Sequence, residues 1–579
     1  MAESVSDARF PNEAAAPGRV RHARALLLGI VILAAFLRLW RLDSVPPAIN
    51  QDEAVHAYDA WSLAKTGRDH DGASWPIFFK AFGDYHPAPF VYLLVPFQAL
   101  MGLGVWSARL PGALVGTAAA PLAYLLLRRR YGERAALIAA LFMAISPWQL
   151  HISRMAFEAG ACPTLILGGL ATLYAAARRR DDATGSASEP VRLMLAVLSG
   201  AVFGLTAWTY HAMRVFVPLF LLGLALVHRQ AVLRRIQTPE GRMLSAVWLG
   251  GALIGLAPFF AAWAIAPAQV WARASAVSVL ESPEGVSDVL RNYFENLSPL
   301  FLFLQGDDSI VQSVPGCGQL LLSAMLFVPL GVWRALRSWR TDPFGLLLII
   351  WALAGPVPAA LAEWPSGHSL RSIGGAPAFE LLSALGLITL VSAAAARSRR
   401  AARGSIVFCA IVVTLSSGIF LRRFFVDYPV RAAAVFQSEW PPVFAEVAAR
   451  RKDYDIVVLS TVNTNQLGLL YLFWTKMDPA AYLASDHDIE PAGTIERIIR
   501  IDNVVFRPSV VLEIMAPRMP PDYRILVAER PEVAVPGTIL REFNFPNGEK
   551  AVILYELRAE DIPIVTSPDP VAPGGPGGD

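Results

Sequence analysis

The sequence predicts a mainly α-helical, polytopic membrane protein with about eleven spans, followed by a small α/β domain outside the membrane. Composition predicts the membrane class, because 55% of the 579 residues are hydrophobic, only 17% are charged and the mean hydropathy is +0.45. Apolar runs long enough to cross a bilayer recur along the chain. After residue 423 they give way to short β-rich runs, which predicts the additional domain.

The membrane module is predicted to cover residues 25–423, after a polar N-terminus, 1–24, that we expect to be disordered and cytoplasmic. Residues 90–103 form a shorter apolar run interrupted by Pro96, which indicates an in-plane or re-entrant helix. The candidate spans lie at residues 25–42, 107–127, 135–150, 160–177, 193–210, 215–228, 243–265, 316–333, 344–361, 377–396 and 404–421.

Basic clusters predict the orientation of these spans. They lie at residues 19–24, 128–134, 178–180, 229–242, 334–340 and 397–403. The positive-inside rule puts all of them in the cytoplasm, and this requires an odd number of spans with a cytoplasmic N-terminus. The outer loops are then 43–106, 151–159, 211–214, 266–315 and 362–376, and the C-terminal region is also outside.

The region after the last span predicts an extracytoplasmic α/β domain at residues 424–566. Residues 455–460, 523–528 and 551–556 are the β-rich runs that indicate its strands. The Pro/Gly-rich tail, 567–579, is expected to be disordered.

Charge and cysteine content exclude several functions. The net charge of +3 is too balanced to indicate a nucleic-acid partner. Cys162, Cys317 and Cys409 lie far apart, without the spacing of a disulfide framework or a zinc site. The lipid bilayer is the partner that the composition does indicate.

An acidic pair in the first outer loop, Asp52 and Glu53, is the leading catalytic candidate. It follows Pro46 and Pro47 at a predicted helix start. Such a pair suits a general base near an acceptor hydroxyl, or a group that holds that base or a divalent cation. The structural alternative is that the two charges only stabilise the helix macrodipole.

The other outer loops add polar residues with a structural alternative for each. Arg154 and Glu158 are four residues apart and would share one face of a helix, as an ion pair or as site residues. Arg214 would lie at the membrane interface, where it either snorkels or binds a lipid phosphate. His368 and Arg371 are placed outside against the positive-inside trend, which an anionic ligand would explain.

These motifs together resemble bacterial relatives of the dolichyl-phosphate-mannose protein mannosyltransferases and the lipid A aminoarabinose transferases, over about residues 25–420. The resembling motifs are Asp52 and Glu53, residues 83–87, 153–158, 210–214 and 306–307, and residues 368–371 with Pro377. The resemblance implies the C-type glycosyltransferase fold in the cytoplasmic membrane of a bacterium, with the site outside. It also implies transfer of a sugar from a polyprenyl-phosphate donor to a protein, lipid or glycan acceptor.

Residue roles follow from the same resemblance. Asp52 corresponds to the candidate base, with Glu53 beside it, and Glu158 to the acid of the second loop. His86 stands where the aminoarabinose transferases have a lysine. The resemblance assigns the donor phosphate to His86, Tyr210, Arg214, His368 and Arg371, and the sugar or acceptor to Asp84, Tyr85, Arg154 and Asp307.

Two other function classes remain open from the sequence. A lipid-linked glycan transporter or flippase would need ionisable groups inside its spans, where Glu380 is the exception in an otherwise carboxylate-poor set. The second open class is a non-catalytic membrane scaffold that binds glycan. For an enzyme, a single displacement would invert the anomeric carbon, and no motif demands a cofactor, although a divalent cation could join the acidic residues.

Overall fold

The computed structural model describes residues 17–81, 84–178, 188–268, 270, 278–279, 285–363, 367–462, 464, 466–492 and 495–562. The chain forms two compact units, Met1–Val435 and Phe436–Asp579. The sequence placed this boundary at residue 424. The structure places it later because the last long helix, Arg399–Arg422, continues through a π-helix, Arg423–Asp427, and a short helix, Tyr428–Arg431.

The N-terminal prediction needs one correction. Helix α1 spans Pro17–Leu39, so residues 17–24 are helical rather than disordered. Proline suits the first position of a helix, and the arginines that follow are good helix formers. Residues 1–16 and the predicted disordered tail, 567–579, lie outside the described residues.

The described part of the first unit is mainly helical and contains one hairpin. Its first helices after α1 are α2 Gln51–Thr66, α3 Pro89–Met101, α4 Val105–Ile145, α5 Pro147–Ser153, α6 Cys162–Ala176, α7 Glu189–Thr209, α8 Met213–Val227, α9 Arg229–Ile236 and α10 Pro239–Ile265. The later helices are Gly285–Glu295, Ala324–Arg337, Pro343–Ala354, Val357–Ala360, Ser369–Ser372 and Ala376–Arg397, before the last long helix.

These helices confirm the predicted class, a multi-pass membrane protein. Eight helices in the described part of the chain are long and apolar enough to cross a membrane. The count becomes nine if α8 and α9, which meet at 81°, form one broken span. Each predicted apolar segment contains a helix, and two of them merge in α4, which is broken where Gly132 has φ 82°. The predicted number of about eleven spans stays a prediction.

Glycines allow α7 and α10 to pack backbone to backbone. A Cβ atom on Gly200 would lie 2.0 Å from the Trp248 carbonyl oxygen, and one on Gly251 would lie 2.2 Å from the Val197 carbonyl oxygen. With Gly204 and Gly255, both helices carry the small-xxx-small pattern of close membrane helix pairs. This contact fixes the end of α7, from which the short loop toward Arg214 leaves.

The first predicted outer loop contains α2 and an antiparallel hairpin. Strands β1, Phe78–Ala81, and β2, Asp84–Pro87, pair so that Lys80 lies opposite Tyr85 and Phe79 opposite His86. The predicted re-entrant segment 90–103 is α3, a 13-residue helix that packs against α2. Its length is below the roughly 20 residues that a span needs.

The second unit confirms the predicted α/β domain and its strands. The strands are β3 Ile456–Leu459, β4 His487–Ala492, β5 Ile495–Ile501, β6 Val504–Phe506, β7 Arg524–Glu529, β8 Thr538–Asn544 and β9 Lys550–Arg558. Their order in the sheet is β4-β5-β6-β3-β7-β9-β8. The helices are Trp440–Arg450, Leu467–Thr475, Pro479–Ala484 and Val511–Met515.

The central strands of this sheet are parallel, and their side chains form the core. β3 pairs in parallel with β6 and β7, while the outer pairs are antiparallel. Val458, Val527 and Ile553 are buried in one cluster. The near-continuous apolar runs of β3 and β7 are typical of parallel strands covered on both faces.

Candidate functional site

The acidic pair begins helix α2, and its two members have different environments. Asn50 caps the helix: its side chain accepts from the Asp52 backbone N–H at 2.9 Å, and its own N–H donates to the Glu53 carboxylate at 3.0 Å. Glu53 is completely buried, whereas Asp52 is half-buried. The predicted helix-end role is therefore real for Glu53, through a capping box.

Glu53 also forms a buried ion pair that the sequence did not reveal. Arg109, from α4, donates to both carboxylate oxygens, with Nε to Oε1 at 2.8 Å and Nη2 to Oε2 at 2.9 Å. The Ala156 N–H donates to Oε1 at 2.8 Å. Both oxygens are thus engaged by the fold, and this geometry supports a positioning role for Glu53 rather than the predicted catalytic one.

Two histidines and an acid form a cluster beside the start of α2. One ligand atom from each of His56, His86 and Glu158 lies within 4.8 Å of the others. His86 Nδ1 lies 3.9 Å from Glu158 Oε1, and the two imidazole rings meet edge to face at 5.3 Å. His56 and Glu158 are buried. Because His56 is one helical turn after Asp52, the two share a face of α2.

The backbone selects the tautomer of His56. Its Nδ1 lies 3.0 Å from the Ala156 carbonyl oxygen, which can only accept a hydrogen bond. Nδ1 therefore carries the proton, and Nε2 is the atom with a lone pair for a metal or a proton. His56 was not among the predicted site residues, although its spacing of four residues from Asp52 indicates a shared helix face.

The short loop after α7 brings an arginine toward the hairpin. His211 Nε2 lies 3.1 Å from the Tyr85 carbonyl oxygen, which joins this loop to β2 next to His86. The Arg214 guanidinium lies 5.0 Å from the Trp208 ring centroid and donates to the Val270 carbonyl at 2.8 Å. Trp208 also packs against Phe78 of β1, with ring centroids 4.9 Å apart, so Arg214, at the start of α8, lies near the hairpin. Its predicted donor-phosphate role stays a prediction.

The predicted loop of His368 and Arg371 is held from several sides. Asp307 accepts from the Ser369 N–H at 2.7 Å and from the Ser309 N–H at 2.9 Å. Helix Ser369–Ser372, which carries Arg371, packs against the turn Glu158–Ala161. This loop therefore lies beside the cluster. Burial raises the pKa of Asp307, and its contacts support a loop-holding role rather than the predicted sugar contact.

Arg154 is not available as the predicted sugar ligand. It is completely buried, and its guanidinium donates to backbone carbonyls of Leu37, Trp40, Arg41 and Val45 at 2.6 to 3.0 Å. The predicted shared helix face of Arg154 and Glu158 is also wrong. Helix α5 ends at Ser153, and Phe157 is extended, so the two side chains point to different partners.

Three further predicted residues have less defined places. The Asp84 side chain lies outside the described part of the chain. Tyr85 is half-buried in β2, and Tyr210 is half-buried at the end of α7. Their predicted roles stay predictions.

A second buried group of charges supports the end of α2. His70 Nδ1 lies 2.7 Å from Asp59 Oδ1, and its backbone N–H donates to the same oxygen at 2.9 Å. Burial alone would lower the pKa of His70, but the carboxylates of Asp59, Asp71 and Asp69 raise it to about 9. His70 is therefore a cation at neutral pH, and it ties the loop after α2 to the helix.

Comparison with known proteins supports the predicted class. Residues 85–265 match the sequence family described as dolichyl-phosphate-mannose-protein mannosyltransferase. The fold is similar to that of ArnT from Cupriavidus metallidurans in the apo state, at 15% identity and TM-score 0.52, over 93% of this chain and 98% of ArnT. The structure of ArnT bound to undecaprenyl phosphate matches with the same identity and coverage and a TM-score of 0.50. No curated protein sequence matches this chain.

The helical module and the C-terminal sheet thus define a polytopic membrane protein with the C-type glycosyltransferase fold. Residues 85–265 match the mannosyltransferase family and the fold is similar to that of ArnT, and both findings confirm the resemblance that the motifs indicated.

Proposed function

We propose that this protein is a membrane glycosyltransferase that moves a sugar from a polyprenyl-phosphate donor to an acceptor hydroxyl on a protein, lipid or glycan. The reaction takes place at the outer face of a bacterial cytoplasmic membrane. One observation carries the proposal: separate segments bring Asp52 and His56, His86, Glu158, and the loops of Arg214 and Arg371 to one region. The family match, the ArnT fold and the undecaprenyl phosphate bound to ArnT support it.

Asp52 acts as the general base in this proposal. The acceptor oxygen attacks the anomeric carbon, the bond from that carbon to the phosphate oxygen breaks, and the acceptor proton passes to the Asp52 carboxylate. A single displacement inverts the anomeric configuration. Glu53 and Arg109 act indirectly, because they fix the first turn of α2 on which Asp52 stands.

Cations next to the cluster stabilise the departing phosphate. Polyprenyl phosphate is a good leaving group, so the chemistry depends mainly on stabilising its charge. Arg214 and Arg371 offer planar sets of N–H donors that match phosphate oxygens. His368, buried beside Asp307 with 4.0 Å between Nδ1 and Oδ2, supports the Arg371 loop.

A divalent cation fits the side chains of the cluster. Two imidazoles and one carboxylate are a common three-ligand set for zinc and related metals, and the His56 tautomer leaves Nε2 as the ligand atom. His56, His86 and Glu158 would hold the ion. When bound, it would supply Lewis-acid stabilisation of the phosphate. Proton removal from the acceptor still belongs to Asp52.

The test is release of polyprenyl phosphate from a panel of polyprenyl-phosphate sugars by the purified protein, in the presence of a panel of protein, lipid and glycan acceptors. We expect Asp52→Asn to lose at least about 10²-fold in rate, because the amide cannot take the proton. Asp308→Asn, at an exposed acid of another predicted outer loop, is the matched control and should keep the wild-type rate. Wild-type turnover by Asp52→Asn would remove Asp52 as the base, and no release with any donor would favour a transporter or a scaffold.

A further inference from the structure

A cavity of about 530 Å³ lies at the end of the last long helix, and none of its lining residues is assigned to catalysis. None of the side chains that line it belongs to the histidine and acid cluster. The lining residues that matter here are Pro315, Gly316, Arg422, Arg423, Asp427 and Arg431.

The cavity has a positive lining. Three arginines and one aspartate give it a formal charge of 3 − 1 = +2. Arg423 donates through Nη1 to the Gly316 carbonyl and so holds the glycine loop against the helix. Within the described residues, the side chains of Arg422 and Arg431 have no hydrogen bond or ion pair, and both residues are exposed. Their charge is therefore available to a ligand.

The loop that lines one side of the cavity has a backbone conformation at Gly316 that favours glycine. Gly316 has φ 75°, and a Cβ there would lie 3.3 Å from Arg423 Nη1. On the helix side, the chain passes from α-helix to a π-helix at Arg423–Asp427. Such π segments are frequent at functional sites, and this one sets the directions of the side chains on the cavity wall.

An exposed apolar stripe runs along the last long helix to this cavity. Its members are Phe408, Ile411, Leu415, Ile419, Val426 and Val430, which are 44% to 61% exposed. They follow each other at helical spacing, and Arg422 falls between Ile419 and Val426 in the same series. In a membrane, such a stripe faces hydrocarbon, so the cavity lies where the headgroup of a lipid along the stripe would be.

We propose that this cavity binds the phosphate group of a membrane lipid whose hydrocarbon chains lie along the apolar stripe. Arg422 and Arg431 contact the phosphate oxygens, which the arginine fork suits better than an ammonium. Arg423 keeps the Gly316 loop in place, and Asp427 limits the total positive charge. The site goes beyond the proposed transfer reaction, because it uses none of the residues of that reaction.

The test uses the full-length protein in mild detergent, with phosphatidic acid, phosphatidylcholine and inorganic phosphate as probes. Native mass spectrometry counts bound lipid, and inorganic phosphate is added as a competitor. We expect phosphatidic acid to bind in preference to phosphatidylcholine. The double variant Arg422→Gln/Arg431→Gln should bind it about tenfold more weakly. Arg400→Gln, at an exposed arginine of the opposite end of the same helix, is the matched control and should bind like the wild type.

A variant with the opposite expected effect excludes loss of folding as the explanation. Asp427→Asn removes the carboxylate of the cavity and should strengthen the binding of phosphatidic acid. Equal binding by the double variant and the wild type would overturn the proposal, as would an equal loss in Arg400→Gln. Displacement of the lipid by equimolar inorganic phosphate would also overturn it, since the site would then recognise free phosphate rather than a lipid.

Discussion

The buried pair of Glu53 and Arg109 gives the sharpest test of the site. Glu53→Gln keeps the size of the side chain but removes its charge and one acceptor oxygen. In the variant, the amide NH₂ group would face an N–H donor that binds the carboxylate in the wild type. These donors belong to Arg109, Asn50 and Ala156. The variant therefore leaves a buried guanidinium without its counter-ion.

The expected loss of stability follows from the burial of the pair and from the number of its hydrogen bonds. Both Glu53 and Arg109 are completely buried, and removing one partner of such a pair costs about 3–5 kcal/mol. Removing both will not restore stability, because Arg109 also donates to the carbonyls of Leu42, Pro46 and Ala48 at 2.8 to 3.1 Å. In contrast, the half-buried Asp52 contributes about 0.3–1 kcal/mol as a charge at a helix N-terminus.

The assay compares heat unfolding of the detergent-solubilised wild type with that of Glu53→Gln and Asp52→Asn. We expect Glu53→Gln to unfold at a clearly lower temperature and Asp52→Asn to unfold close to the wild type while losing transfer. The two adjacent acids would then be separated into a positioning residue and a candidate base. If Glu53→Gln unfolds like the wild type but has no transfer activity, this reasoning is refuted and Glu53 is again a candidate catalytic residue.

Three further predictions concern other parts of the molecule. His70→Gln should destabilise the protein most below about pH 6.5 and little above pH 9. Above the raised pKa of His70, about 9, the wild-type imidazole is itself neutral and no longer attracts the neighbouring carboxylates. Unfolding measured against pH checks this. Gly251→Val should disrupt the α7–α10 contact. Gly250→Val should not, because a Cβ atom added at Gly250 would meet no atom within 4 Å, and the yield of folded protein checks both variants. In intact cells with the native cysteines replaced, a cysteine at Ser398 should be protected from an impermeant label, and one at the exposed Glu549 should react.

Sequence patterns predicted the elements well because those elements depend on local composition. Each apolar segment contains a helix, and the runs at 455–460, 523–528 and 551–556 contain β3, β7 and β9. The start of α2 also depends on local sequence, because Asn50 and Glu53 form a capping box at the expected position. Span number was harder, because length and hydropathy do not show where a helix breaks, as at Gly132 in α4.

The site was only partly predictable, because its contacts join residues far apart in the chain. Asp52 and Glu53 look equivalent in sequence, yet adjacent helical residues point about 100° apart. One therefore enters the interior, and the other stays half-exposed. Nothing local identified Arg109, which lies 56 residues from Glu53. His56, in contrast, could have been predicted from the sequence, because it lies one helical turn after Asp52.

Arginines show why charge alone did not identify the ligand site. Arg109 and Arg154 lie in or beside predicted outer regions, as an anionic ligand would require, but both are completely buried and donate to backbone carbonyls at the end of α1 and in the segment after it. The positive-inside argument therefore applies only to arginines whose donors the fold has not already taken. By that criterion Arg422 and Arg431, exposed beside a cavity, indicate an anionic ligand more directly than Arg154 does.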